Sequence, residues 1–230
     1  MVFKDRLDAA ARLAEALNPL RGRDPLILAI PRGAVPMGKL LAERLQGDLD
    51  VVLVHKLWAP GAPQCFLGTV NEVGDIYIDP GAPQCGITED FLERERERLL
   101  EDFRTRRAYY GSPLGSARVE GRIVVVVDDG VVTGLTLAAA LRGVRKRRPA
   151  HLIAAAGVAS RAAMERLSSE ADKLVVLESP KDEHFSISDF FGDFPPVTDE
   201  MVAKTLRRLK GAERRVDSKA RDAFAEDEGR

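Results

Sequence analysis

Short apolar runs alternate with amphipathic stretches along most of the chain. The runs are continuous and rich in β-branched side chains, which is typical of strands buried on both faces of a parallel sheet. They predict five strands, at Leu26 to Ile30, Val51 to Val54, Ile123 to Val127, Leu152 to Val158 and Leu174 to Leu177.

Between these runs, apolar residues return every three or four positions, which is the spacing of an amphipathic helix. The chain opens with this pattern at Phe3, Leu7, Ala10, Ala14 and Leu17. Further helices are predicted at Val35 to Leu45, Leu135 to Val144 and Arg161 to Leu167. The repeated strand–helix–strand order predicts an α/β fold of three layers with a doubly wound, mostly parallel sheet.

Two segments break this alternation. Trp58 to Pro83 is rich in Pro and Gly, and we expect a long loop that contains a hairpin around Gly74, with strands at Phe66 to Val70 and Ile76 to Ile78. Thr88 then caps a charged helix, Glu89 to about Tyr109, whose Glu and Arg side chains are expected to face solvent.

The C-terminal part is irregular and then strongly charged. Residues 178–196 are rich in aromatic side chains, and Thr198 begins a last helix that is expected to reach about Lys210. We expect residues 1–210 to form one domain, with an insertion at 58–83. Residues 211–230 have few apolar side chains and are expected to form a disordered tail.

Composition narrows the function classes. Hydrophobic residues make up 45% of the chain and the formal net charge is −1, so no general field attracts nucleic acid or a membrane. The basic runs Arg142 to Arg148 and Lys204 to Arg215 are interpreted as solvated helix surfaces. No apolar run reaches the roughly 18 residues of a membrane span, and the first residues do not resemble a secretory signal. Two cysteines indicate a reducing compartment, so we expect a cytoplasmic protein.

One segment carries a pattern that suits a phosphate ester. The predicted strand Ile123 to Val127 runs into the acid pair Asp128 and Asp129, then Gly130, Val131 and Val132, and then a Thr-Gly-Leu-Thr turn at the start of a helix. Backbone N–H groups, two hydroxyls and the positive end of the helix dipole would form an anion site. A ribose 5-phosphate fits this arrangement, with its phosphate in the turn (Val132, Thr133, Gly134, Leu135 and Thr136) and its hydroxyls on the two acids.

We expect Gly134 to let the backbone approach the ligand, and we expect Asp129, as an acid at the end of a strand, to lie outside the core. The alternative is an ordinary strand–turn–helix with a cap at Thr133 and exposed acids. A Walker-type loop is excluded because no Gly-Lys-Ser/Thr follows.

The sequence Asp-Asp-Gly-Val-Val-Thr-Gly-Leu-Thr is similar to the phosphoribosyl-pyrophosphate signature of type I phosphoribosyltransferases. The wider chain resembles a poorly characterised bacterial subgroup of that family. The resemblance rests on Pro31-Arg32-Gly33 after the first predicted strand and on Lys56-Leu-Trp-Ala-Pro-Gly61 after the second. It covers about Phe3 to Leu206.

The resemblance implies transfer of a phosphoribosyl group from Mg²⁺-bound phosphoribosyl pyrophosphate to a nucleobase-like acceptor, with release of pyrophosphate. Arg32 and Gly33 would bind the pyrophosphate, and Lys56 would supply a second cation; a surface charge is the alternative for both Arg32 and Lys56. No direct protein ligand for Mg²⁺ is assigned. Trp58 to Gly74 would form a mobile lid, or only a long loop.

The acceptor is not fixed by the sequence. Hypoxanthine-guanine enzymes have an Asp immediately before the Thr of the phosphate turn, and Val132 occupies that position here. Residues 178–196 would form the C-terminal hood that selects the acceptor in relatives. Phe185, Phe190 and Phe191 could stack on a base, or could pack against one another.

If the first and third predicted strands are neighbours with crossovers in opposite directions, Arg32 and the acid pair face each other across a crevice. A regulator that only senses phosphoribosyl pyrophosphate is an alternative on the same fold, and a homodimer stays open. A different phosphotransferase or hydrolase would need further carboxylates and a nucleophile that the sequence lacks.

Overall fold

A computed structural model of the chain describes residues 2–82, 87–112, 117–182 and 185–209. Within these ranges the strands form two sheets. The larger contains β1 (Leu26–Ala29), β2 (Asp48–Val51), β6 (Ile123–Val131), β7 (His151–Ala159) and β8 (Lys173–Glu178), and the smaller contains β3 (Val54–Ala59), β4 (Ala62–Asn71) and β5 (Ile76–Ile78). The larger sheet is parallel and the smaller is antiparallel.

The helices agree closely with the predicted ones. They are α1 (Arg6–Ala16), α2 (Val35–Leu45), α3 (Glu89–Tyr110), α4 (Leu135–Arg145), α5 (Arg161–Leu167) and α6 (residues 199–209), with 3-10 turns at Asn18–Leu20 and Ile187–Phe190. As predicted, the side chains of Thr88 and Thr198 cap α3 and α6 by accepting backbone N–H groups. No helix in the described ranges is long and apolar enough to cross a membrane. The predicted tail, residues 211–230, lies outside those ranges.

The larger sheet is covered on both faces. Successive side chains of a strand point to opposite faces, so Ile27 and Val125 share one core with α1 and α2, whereas Leu28 and Val126 share another with α4 and α5. Each of these four side chains is at most 1% exposed. The predicted three-layer architecture is therefore confirmed.

The order of strands creates a crevice at one point of the sheet. The order is β2-β1-β6-β7-β8, so β1 and β6 are neighbours, with Leu26 paired to Val124. From β1 the chain crosses through α2 to one side, and from β6 it crosses through α4 to the other. The loops at the carboxyl ends of β1 and β6 therefore diverge and leave space between them.

The predicted second strand was misplaced. The apolar run Val51 to Val54 is shared between β2, which begins at Asp48, and β3, which begins at Val54 and belongs to the other sheet. The sequence pattern did not reveal β2, because the charged residues Asp48 and Asp50 interrupt the apolar run by which a buried strand is recognised. Arg122 pairs with Asp48 at the exposed end, and Arg107 pairs with Asp50 in the interior.

The expected long loop at the start of residues 58–83 was also wrong, whereas the hairpin around Gly74 is present. Trp58 belongs to β3, and a tight turn with Gly61 at φ 69° connects β3 to β4. Gly68 allows close pairing with β5, since a Cβ atom there would lie 2.0 Å from the carbonyl oxygen of Tyr77. Glycine therefore serves strand pairing in a segment where its frequency suggested a loop.

A buried cluster of charges joins the smaller sheet to α3 and to β2. The guanidinium of Arg107 bonds to both carboxylate oxygens of Glu72, to Asp50 and to the carbonyl oxygen of Val51 at 2.6–3.0 Å. The Arg107 side chain is only 3% exposed, so it departs from the expectation that the charges of α3 face solvent. Burial raises the pKa of Glu72, and the charge of Arg107 opposes that rise.

We expect Arg107→Met to lower the free energy of unfolding by about 3–5 kcal/mol, because it leaves two carboxylates buried without their cation. Arg104→Met is the matched control on the same helix, since Arg104 is 68% exposed and pairs with Glu101 at the surface. Urea unfolding measures both variants. Equal, small effects would show that the cluster contributes little to stability.

Candidate functional site

The acid pair lies within β6, which is longer than the sequence predicted. The strand continues to Val131, and Asp128 is paired with Ala156 of β7. The two acids are adjacent in the strand, and their carboxyl groups interact with each other. Asp128 is partly exposed, whereas Asp129 is 9% exposed and lies on the side of α1.

Asp129 forms a buried ion pair with Arg6 of α1, with 2.8 Å between Arg6 Nε and Asp129 Oδ2. Arg6 Nη1 also donates to the carbonyl oxygen of Pro195 at 2.6 Å, and the guanidinium lies 3.6 Å from the ring centre of Phe194. The expectation that Asp129 lies outside the core was wrong, because its carboxylate is the counter-ion of a buried arginine.

The environment of Asp128 disfavours its charge. Burial raises the pKa of Asp128 well above its usual range, and the neighbouring charge of Asp129 adds to the rise. The backbone N–H of Asp129, which donates to Asp128 Oδ1 at 2.9 Å, and the charge of Arg6 act in the opposite direction. Adjacent carboxylates repel each other, so the neighbouring charge and burial both favour the protonated form of Asp128.

The phosphate turn, residues 132–136, connects β6 to α4. Val132 and Thr133 are exposed, and Thr136 lies half-buried in the first turn of α4. The hydroxyl of Ser160 donates to the carbonyl oxygen of Val132 at 2.6 Å and accepts the N–H of Ala163 at 2.9 Å. The start of α5 thus holds the turn at the carboxyl edge of the sheet, with the amino end of α4 beside it.

Gly134 is required by the backbone and by packing. Its φ is 77°, a left-handed conformation that favours glycine. A Cβ atom at this position would lie 3.2 Å from Ala163 Cα and 3.3 Å from Arg166 Cδ. The glycine therefore has a structural cause in addition to the expected approach of a ligand, and a bulky variant would test folding as much as binding.

Gly130 explains how the C-terminal hood meets β6. A Cβ atom at Gly130 would lie 2.4 Å from Ile187 Cγ2, so the 3-10 turn of the hood packs directly on the strand. The hood covers the strand one residue after the acid pair. Ile187 is thereby a neighbour of the site that the sequence did not single out.

The first-strand loop, Pro31-Arg32-Gly33, faces the acid pair across the crevice. The peptide between Pro31 and Arg32 is cis. A Cβ atom on Gly33 would lie 2.1 Å from Asp129 Oδ2 and 3.3 Å from Arg6 Nη2. The predicted neighbourhood of β1 and β6 is confirmed, and the loop approaches Asp129 so closely that only glycine fits.

Arg32 extends from this loop toward α6. Its Nη1 atom lies 3.5 Å from Asp199 Oδ2, and the Arg32 side chain is 57% exposed. Asp199 also accepts the hydroxyl of Tyr110, whose pKa is raised by burial and then by this hydrogen bond. Arg32 is therefore an accessible cation held by one weak surface pair.

Lys56 lies on the exposed side of β3 and not at the end of β2. Within the described ranges it makes no side-chain ion pair, while its carbonyl oxygen bonds to the ring of His55. The structure gives no contact between Lys56 and Arg32 or the acid pair.

The three aromatic candidates of the hood differ from one another. Phe191 is 2% exposed and packs between two other rings. Its ring centre lies 5.2 Å from that of Phe3 and 4.7 Å from that of Phe194, so Phe191 packs against other aromatic side chains. Phe185 and Phe190 are half-buried and form an edge-on pair at 5.5 Å.

Sequence reasoning missed Arg6, although a signal was present. Arg6 lies between Phe3 and Ala10 in the helical spacing of the apolar stripe, and it is buried, whereas Leu7, which was assigned to that stripe, is 49% exposed. A charged residue on an apolar helix face indicates a buried partner. Ser160 also gave a signal, because it stands where the fourth predicted strand meets a helix.

We expect isosteric neutralisation of the two acids to change stability in opposite directions. Asp129→Asn leaves Arg6 without its counter-ion and should lower the free energy of unfolding by about 3–5 kcal/mol. Asp128→Asn removes a disfavoured charge and should raise the melting temperature at neutral pH. Thermal melts of both variants decide this, and a loss of stability in Asp128→Asn would contradict the assignment.

The effect of Asp128→Asn should depend on pH with a definite sign. The pKa of Asp128 in the folded protein is raised above its value in the unfolded chain, which is about 3.9. The wild-type protein therefore loses stability as the pH rises from the unfolded-state pKa to the folded-state pKa. The gap in melting temperature between variant and wild type should therefore grow across that interval and then stay level. A gap that shrinks with rising pH would contradict this.

Comparison with known proteins agrees with this geometry. A family model described as a phosphoribosyl transferase domain matches residues 3–189. Two strains of Mycobacterium tuberculosis have proteins named "Putative phosphoribosyl transferase MT0597" and "Putative phosphoribosyl transferase Rv0571c", each 31% identical over 215 residues. These matches cover 90% of this chain and 47% of each relative, so the chain spans about half the length of the curated relatives it matches.

The crystal structure of TT1426 from Thermus thermophilus has the same fold. Its TM-score is 0.75 at 40% sequence identity, and the alignment covers 91% of this chain and 99% of that one. The family match extends from α1 to the hood and includes both loops of the crevice. On this match, the chain belongs to the phosphoribosyl transferase domain family.

Proposed function

We propose that this chain binds Mg²⁺-phosphoribosyl pyrophosphate and transfers the phosphoribosyl group to a nucleobase-like acceptor, with release of pyrophosphate. The observation that carries the proposal is the position of the first-strand loop against the acid pair, with the phosphate turn on the same edge of the sheet. The pyrophosphate of one ligand would thus meet the first-strand loop, while its sugar hydroxyls and 5-phosphate would meet the continuous segment from Asp128 to Thr136.

The ribose 5-phosphate half would be bound by the segment that begins at Asp128. The 5-phosphate would accept N–H groups and hydroxyls from the phosphate turn (Val132, Thr133, Gly134, Leu135 and Thr136). The sugar hydroxyls would donate to the acid pair, and Gly130 and Val131 would connect the two parts. An exposed turn at the amino end of α4 suits a phosphate, because helix dipoles favour anions there.

The pyrophosphate half would be bound by Arg32 and Gly33, with Lys56 as a second cation. Arg32 is accessible, and pyrophosphate carries far more charge than Asp199, so it would compete effectively for this guanidinium. Lys56 would have to reach the leaving group from β3, and the hairpin formed by β3 and β4 would act as the lid.

The chemistry exchanges one bond at the anomeric carbon. The C–O bond to pyrophosphate breaks with its electron pair on the oxygen, and a lone pair of the acceptor nitrogen forms the new C–N bond. Negative charge grows on pyrophosphate near Arg32, while positive charge grows on the sugar near the carboxylates. The acceptor proton must leave to a base other than residue 132, since Val132 has no ionisable group.

The donor set suits Mg²⁺ that arrives with the ligand. Within the described ranges, no group of three or more His, Cys, Asp or Glu side chains could hold a metal ion by itself. Mg²⁺ is usually held by one or two carboxylates together with substrate phosphates and water. When bound, Mg²⁺ would neutralise charge on the pyrophosphate.

The hood would form the acceptor site. Ile187 and the pair Phe185 and Phe190 offer apolar surface for a flat ring next to β6.

We also place the protein in the cytoplasm, because its cysteine content fits a reducing compartment.

The direct test is a screen of nucleobases with Mg²⁺-phosphoribosyl pyrophosphate, in which pyrophosphate release is followed. We expect release with at least one acceptor, and Thr133→Val should weaken binding of the phosphoribosyl ligand about 10- to 100-fold. The estimate rests on about 1.5–3 kcal/mol for a hydrogen bond to a charged group. Binding without any release would indicate the sensing regulator, and no binding would overturn the proposal.

We expect Arg32→Ala to weaken pyrophosphate binding about 10-fold or more and to leave ribose 5-phosphate binding nearly unchanged. Arg32 lies on the loop after β1, apart from the phosphate turn. Isothermal calorimetry with each ligand measures the difference, and Arg148→Ala is the control, because it removes an exposed charge far along the chain. Equal losses for both ligands would exclude a specific role of Arg32 toward pyrophosphate.

A further inference from the structure

Arg6 is the point at which four parts of the site meet. It belongs to α1, bonds to Asp129 of β6, donates to Pro195 of the hood and stacks on Phe194. The first-strand loop closes over the same pair at Gly33. A side chain that connects all of these elements can transmit a change in one of them to the others.

The contacts of Arg6 take up one oxygen of Asp129. Asp129 Oδ2 accepts Arg6 Nε at 2.8 Å, and the backbone at Gly33 leaves no room for a further group on that side, since even a Cβ atom would lie 2.1 Å from this oxygen. Among the described residues, Asp128 faces no comparable cation at contact distance, and it is the more exposed of the two acids. The acids are therefore not equivalent, although they are adjacent in sequence.

We propose that Arg6 is a positioning residue that holds Asp129 in a buried ion pair, leaves Asp128 to accept the sugar hydroxyls, and couples the hood to that site. This rests on the proposed function, because it assigns the sugar hydroxyls to the acid pair. Arginine suits the role, since its planar group can donate in several fixed directions and stack on a ring at the same time.

The charge of Arg6 also influences the sugar-binding acid. The charged groups that act on Asp128 are Asp129 on its own strand and Arg6 on α1. A carboxyl group accepts two sugar hydroxyls well only when it is ionised. Removal of the cation leaves two adjacent acids without compensation, so the pH below which the sugar is bound weakly should rise.

The experiment compares two ligands in the 230-residue chain over a series of pH values. Inorganic phosphate probes the phosphate turn alone, and ribose 5-phosphate probes the turn together with the acid pair. In Arg6→Gln we expect unchanged phosphate affinity and about 10-fold weaker ribose 5-phosphate binding at neutral pH. We also expect the acid limb, which is the fall in ribose 5-phosphate affinity as the pH is lowered, to begin at a higher pH than in the wild type. Arg6→Lys keeps the charge and should restore the acid limb, with affinity only partly recovered.

Arg12→Gln is the matched control. Arg12 lies on the same helix, pairs with Asp8 at 2.8 Å and stacks over the ring of Phe3, but it is exposed and its ion pair is with Asp8 instead of the acid pair. It should leave both affinities and the pH profile as in the wild type. If Arg6→Gln does not fold, Arg6→Lys carries the test through its ratio of ribose 5-phosphate to phosphate affinity.

Three outcomes would overturn the inference. Affinities for the two ligands that fall together, without a displaced acid limb, would show that Arg6 only stabilises the fold. Ribose 5-phosphate binding like that of the wild type would show that the contact does not position the acid. If the wild-type protein binds phosphate and ribose 5-phosphate equally, the assignment of the acid pair fails, and the proposed function loses its basis for the sugar.

Discussion

The parallel pairing of β1 with β6 is the constraint on which the site depends. Because the chain leaves these strands in opposite directions, two loops that are about a hundred residues apart in sequence end at one crevice. The loop after β1 carries a cation and a glycine, whereas the end of β6 carries two carboxylates and leads into the phosphate turn. Neither loop alone combines groups for both ends of a phosphorylated sugar.

The same pairing creates an electrostatic problem that α1 resolves. Two adjacent acids on a buried strand repel each other, and burial makes each charge less favourable. Arg6 compensates Asp129 through a direct ion pair, and among the described residues Asp128 has no such cation at contact distance. A single countercharge thus produces two carboxyl groups with different properties from two identical residues.

The sequence predicted the architecture well because the apolar pattern of a doubly covered sheet is simple. The pattern failed at β2, because Asp48 and Asp50 are charged and their arginine partners come from distant segments. The site was predictable only in part for a related reason. The acid pair and the phosphate turn form one continuous motif, whereas Arg6 and Ser160, which hold them, come from α1 and the start of α5. Such contacts, like the position of Lys56 on the smaller sheet, depend on how the elements pack, which a periodic pattern does not specify.

Among the contacts that the hood and α6 make with the crevice, two attachments differ in character. On the acid side, Arg6 joins Pro195 to Asp129 through a buried fork that is costly to break. At the first-strand loop, Asp199 meets Arg32 through an exposed pair at 3.5 Å, which water and salt weaken. An incoming anion can therefore displace the second attachment without disturbing the first.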